Sequence, residues 1–124
     1  MLIVIGSRPK LHELQLLKFP NGTELRIMEK VAPKWDEVAV ALGFDGARIK
    51  ATRMGTHYQP IKACLEIFTE WLDGGHDLRP PTWDALIQCL RAANLIEIAD
   101  LIHNTIEIVS FMLLWNTQVM IFLH

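Results

Sequence analysis

Between Pro80 and Ile102 the chain reads PPTWDALIQCLRAANLIEIADLI. Two apolar sets recur there at helical spacing: Trp83, Leu86, Ile87 and Leu90, then Leu95, Ile98, Ala99 and Ile102. An amphipathic helix must bury its apolar stripe, so two of them joined by a tight break at Asn94 pack on each other and on further helices. Thr82 is placed to cap the first of the two, with Asp84 in its first turn complementing the helix dipole. Asn94 with Glu97 reads as a capping-box entry to the second. This run therefore demands an all-helical partner structure.

The residues upstream supply it. Start and stop signals place four more helices. The first follows Asn21-Gly22-Thr23-Glu24, with Thr23 or Asn21 as cap, and turns Leu25, Met28 and Val31 inward. Pro33 ends it and sits well near the start of the second, where Trp35, Val38, Ala39 and Leu42 form a full stripe before the stop at Gly43. Asp45 caps a short third helix carrying Ile49, which dissolves at Met54-Gly55-Thr56. Pro60 opens the fourth, with the stripe Ile61, Cys64, Leu65, Phe68 and Leu72, Trp71 beside it, and Gly74-Gly75 as its end. The expected fold is an all-α, six-helix antiparallel bundle over residues 21–106. Residues 1–20 form an N-terminal segment with a short helix through Leu11, Leu14 and Leu17. Residues 107–124 form a hydrophobic tail with almost no charge.

Composition narrows the function. A chain of 124 residues, 51% hydrophobic and 21% charged, holds one ordinary core rather than a disordered polymer. A net charge of −2 argues against a dedicated nucleic-acid binder, which carries a basic stripe. Cys64 and Cys89 fall inside apolar helical patterns and read as reduced, buried thiols, which suits a cytoplasmic protein. Met1–Ile5 is too short for the apolar region of a secretory signal. His12, His57, His76, His103 and His124 show no metal-ligand spacing. No glycine-rich phosphate loop or thiol-enzyme signature occurs either. The residues thus point to no enzyme, cofactor, metal or small-molecule substrate. Trp35, Trp71 and Trp83 lie on or beside their helical stripes and read as core anchors, not as stacking platforms.

At these same residues the chain resembles the death domain, over about residues 23–106. A tryptophan opens the second helix in KWDEVAVALGF, whose exit Leu42-Gly43-Phe44 is Leu-Gly-Leu-like. A second sits near the end of the fourth in EWLDGG, and the pair Thr82-Trp83 opens the fifth. The junction that follows carries Leu90, Leu95, Ile98 and Ala99 at the family spacing. The charge triad of the related death-effector domain is absent. The resemblance implies a non-catalytic adaptor in signal transduction, of apoptotic or innate immune type, whose partners are other death domains.

Charge then marks the candidate contact surface. Asp36, Glu37 and Asp45 form an acidic side around the second helix and the start of the third, and Arg48, Lys50 and Arg53 a basic stretch along the third. Lys62, Glu66, Glu70 and Asp73 lie on the outward side of the fourth. Unlike patches that meet across copies make heterologous contacts, which propagate into rings or open helices. Two other readings stay open. A helix-turn-helix binder would use the fifth and sixth helices, yet their outward faces offer only Arg91 against Glu97 and Asp100. A membrane-tethered fragment would use the tail. A span wants about 20 apolar residues, and this run is shorter and broken by Asn116-Thr117-Gln118. Packing on the bundle, or pairing with a partner, is the expectation for the tail.

Overall fold

The structure, a computed structural model, describes residues 5–19, 22–75 and 77–123; the side chains of 109, 112–114 and 116–123 lie outside the description. Asn21, offered above as an alternative cap, falls outside it, as do Met1–Val4, His76 and His124.

Helices α1 (Leu11–Gln15), α2 (Ile27–Val31), α3 (Trp35–Leu42), α4 (Gly46–Gly55), α5 (Pro60–Leu72), α6 (Trp83–Ala92) and α7 (Ile96–Leu123) account for most of the chain. The six expected helices are α2 to α7, and they form the all-α bundle. A 3₁₀ turn at Ala32–Lys34, holding Pro33, links α2 directly to α3. A two-residue antiparallel ladder, β1 (Leu17–Lys18) with β2 (Glu24–Leu25), pairs Leu17 with Leu25 and Lys18 with Glu24. Strand therefore replaces helix at Leu17, and the first bundle helix starts at Ile27 rather than near Thr23, although Leu25 is still buried.

The ends of the helices follow from local chemistry. The Asp45 carboxylate accepts the Arg48 N–H at 2.7 Å, and the Thr82 hydroxyl accepts the Ala85 N–H at 3.1 Å. Gly43 leaves α3 with φ +109°, donating to Val40 O while Phe44 N donates to Ala39 O. Asn94 does the same for α6 at φ +62°: its N–H reaches Arg91 O and that of Leu95 reaches Leu90 O. The break at Asn94 is thus the left-handed end of α6 and not the capping box of α7. Asparagine tolerates that conformation better than other non-glycine residues, which is why one short junction suffices.

The core is continuous. Trp71, Trp83, Phe68, Leu42, Leu86, Leu90 and Ile102 are at most 1% exposed. The Trp71 ring nitrogen donates to Arg79 O at 3.0 Å, so its one polar atom is satisfied inside. Helix α5 is rotated from the expected phase. Ala63, Cys64, Ile67, Phe68 and Trp71 face in, while Ile61 and Leu65 are exposed. The fourth helix carries apolar residues on more than one side, and the side that holds the indole is the one buried. Helix α4 runs ten residues from its Asp45 cap to Gly55, as expected, with only Ile49 and Thr52 buried.

The N-terminal segment belongs to this core. Leu14, Leu17 and Phe19 are each under 5% exposed. The backbone at Ile5 and Ser7 accepts the N–H groups of Asp84 and Trp83, the first amides of α6, at 2.8 and 3.0 Å. Those amides have no partner within their own helix. The packed unit thus extends past the boundary drawn at residue 21.

Candidate protein-interaction surface

The charged residues singled out above lie on α3, α4 and α5, and much of that charge is consumed within the chain. Arg48, on α4, reaches across to α5: its Nε donates to Glu70 at 2.8 Å and its Nη2 to Glu66 at 3.1 Å. Nη1 donates to the hydroxyl of buried Thr52, one turn on, at 2.6 Å. Hydrogen bonding to Glu70, and then to Glu66, raises the Arg48 pKa further above its already high ordinary value, against the opposing cost of partial burial. Arg53 closes a second bridge, from α4 to Asp36 on α3 at 3.1 Å, with its guanidinium 5.5 Å from the centre of the Trp35 ring. Arg48 and Arg53, with their three carboxylate partners Glu66, Glu70 and Asp36, are therefore largely internal clamps between adjacent helices.

Asp45 is occupied as the α4 cap, and Asp36 also accepts the Glu37 N–H at 2.9 Å. Glu37 lies 3.8 Å from Lys34 with more than half its side chain exposed. Lys50 and Lys62 are exposed, and no ion pair to either occurs among the described residues. Asp73, which follows α5, is exposed as well, so Glu37, Lys50, Lys62 and Asp73 are the charges of the original set most available to a partner.

Apolar surface accompanies them. Val40 is 64% exposed and lies in a shallow groove between α3 and α4, bordered by Asp36, Glu37, Ile49 and Arg53. An aliphatic centre ringed by charge is the common anatomy of a protein–protein contact. Val40 was overlooked in the sequence, yet it sits outside the stripe of Trp35, Val38, Ala39 and Leu42, a visible sign that it points out. A second groove, between α2 and α5, is lined by Met28, Ile61, Lys62 and Leu65. The turn between α4 and α5 exposes Tyr58, held with His57 at positive φ, +60° and +53°.

Among the described residues no group of His, Cys, Asp and Glu could hold a metal ion. Cys64 and Cys89 are buried and unpaired, and burial pushes the Cys64 thiol up to about 12 and raises that of Cys89. Such thiols are poor nucleophiles. Arg91, the one base on the outer faces of α6 and α7 in the region compared with helix-turn-helix proteins, is paired with Asp100 at 3.0 Å. No helix among the described residues is long and apolar enough to cross a membrane.

Comparison with known proteins agrees with this geometry. The family model for the death domain matches residues 25–106. That span begins in β2 and ends at Ile106, the last buried residue of α7 among those described. No curated protein and no solved structure matches the chain.

Proposed function

The chain belongs to the death domain family of protein–protein interaction modules, and on that premise we propose that it is a non-catalytic adaptor in cytoplasmic signal transduction, of apoptotic or innate immune type. It assembles homotypically with other death domains. The observation that carries the reading is the α3–α4 face, where exposed Val40 is bordered by Asp36, Glu37 and Arg53, with Lys50 and Lys62 exposed on α4 and α5. An acidic-rimmed apolar patch and separate lysines on one module meet across copies as unlike surfaces. Their charges steer encounter and fix register more than they add affinity.

The test follows from which charges are free. Arg48 and Arg53 are unsuitable for charge reversal because they hold helices together. Glu37→Lys, Lys50→Glu and Lys62→Glu leave those clamps intact. Binding to a panel of isolated death domains, measured by titration calorimetry, is expected for the unaltered chain. It should weaken about 10-fold or more in at least one reversal variant whose circular dichroism is unchanged. Salt-dependent binding to DNA or RNA, with no death domain bound, would overturn the proposal.

A further inference from the structure

Helix α7 continues well past the bundle. Its last buried residue among those described is Ile106, and beyond it Ile108, Phe111 and Trp115 are 53, 67 and 60% exposed. With Leu101, 44% exposed, they follow the alternating three- and four-residue spacing of a coiled-coil seam, and exposed Asn104 takes the intervening position. Large apolar side chains in such a line lie on one side of a helix and mark a contact.

At the other end of the same line lies a half-open cleft of about 330 Å³, bordered by Lys30 of α2 and by Leu95, Ile96, Glu97 and Leu101. Trp115 cannot fill the cleft of its own chain. The two belong to one unbroken helix, and the 14 residues from Leu101 to Trp115 span about 21 Å at ~1.5 Å per residue. A second copy can fill it. We propose that two copies of this chain pair antiparallel through α7, with Phe111 of each packed on Leu101 of the other and Trp115 seated in the other's cleft.

Register, charge and area favour this occupant. Setting Phe111 opposite Leu101 brings Ile108 opposite Asn104 and Trp115 level with Glu97, so a single register fills both clefts. Contacts of this kind are isologous and close at two copies, unlike the heterologous contacts proposed for the α3–α4 face. From Ile108 to Leu123 the chain has no Asp, Glu, Lys or Arg, so Glu97 and Asp100 of one copy meet no like charge on the segment of the other that covers them. Lys30 places a cation at the cleft that receives the indole, an attraction the ring face supplies. Aromatic side chains bury ~150–250 Å² each when fully covered, so two Phe, two Trp and their aliphatic neighbours reach on the order of 1,000 Å², enough for a specific interface. A parallel pair would set Glu97 beside Glu97 and leave both clefts empty.

The full chain settles the matter. Analytical ultracentrifugation should show a monomer–dimer equilibrium in the micromolar range. Phe111→Glu and Trp115→Glu should each weaken the dimer about 30-fold or more, with helicity unchanged because both residues are outside the core. The Lys50→Glu and Lys62→Glu variants should dimerise normally, which separates this seam from the adaptor surface. Orientation is read by oxidative cross-linking. A mixture of Asn104→Cys and Ile108→Cys chains should join as the mixed pair in preference to either like pair. Three results would overturn the proposal: a monomer at all concentrations up to about 100 µM, preferential like-pair cross-links, or a monomer that sediments with phosphatidylcholine–phosphatidylserine vesicles through residues 108–115.

Discussion

At Gly43 two constraints coincide. The residue ends α3 at φ +109°, and a Cβ there would stand 2.6 Å from the carbonyl oxygen of Asp77 and 3.3 Å from the Leu78 Cα. The loop lies this close because Arg79 N donates to Leu42 O at 2.9 Å, tying the approach to α6 across the end of α3. Gly43→Ala is expected to cost about 2–4 kcal/mol, from strain at positive φ together with overpacking against backbone. Gly46→Ala, where nothing lies within 4 Å of the new methyl, should be neutral or stabilise by up to about 1 kcal/mol. Urea melts of the two variants check the contrast. The indoles give a second pair of expectations. Trp71→Ala and Trp83→Ala should each cost about 3–5 kcal/mol, with Trp71 also leaving Arg79 O without its donor. Cys64, with its thiol pushed up to about 12, should resist iodoacetamide at pH 8 in the native chain and react only when the chain unfolds.

The elements show what patterning can and cannot encode. Helix existence was legible because caps and stops act locally: Asp45, Pro60, Thr82, Gly43 and Gly74 do in the structure what their types suggest. Helix phase was legible where apolar residues occupy one stripe, as in α3 and α6. It was ambiguous in α5, where Ile61 and Leu65 compete with Ile67 and Trp71 and only the packing partners decide. The candidate site was less legible still. The choice of charged residues came from the sequence, but Arg48 meets Glu66 and Glu70 across 18 and 22 residues, and Arg53 meets Asp36 across 17. Only tertiary placement shows such pairs to be spent. Arg48→Glu should therefore act on stability, not only on binding. It sets three carboxylates together and removes the donor to the buried Thr52 hydroxyl, at about 1–3 kcal/mol. The melting temperature of that variant should fall while that of Lys50→Glu stays near the unaltered value.

At the scale of the molecule, the two ends of the chain have opposite relations to the core. The N-terminal segment supplies Leu14, Leu17 and Phe19 to it and closes the first amides of α6 through the backbone at Ile5 and Ser7. Arg8 adds a hydrogen bond to Leu72 O at the end of α5. The spacing of Leu11, Leu14 and Leu17 marks a short helix there, realised as α1, but not that the segment closes the core and the α6 amides. Those contacts with α6 join residues about 75 positions apart through backbone atoms that carry no sequence pattern. The far end of α7 leaves the core after Ile106, and its described side chains beyond that point are exposed or only partly covered. Removing residues 1–20 is thus expected to cost several kcal/mol, since each fully buried leucine or phenylalanine lost contributes about 1.5–3 kcal/mol and the α6 amides lose their acceptors. A domain of ordinary stability would be left largely unfolded. A chain ending at Ile106 should instead keep its cooperative melt within about 1 kcal/mol and become more soluble, because the exposed line of Ile108, Phe111 and Trp115 is gone. Thermal denaturation of both truncated forms, followed by circular dichroism, decides between this asymmetry and its reverse. A loss of stability on removing 107–124 that matched the N-terminal deletion would mean that the tail packs into the core, and that the fold needs the whole chain.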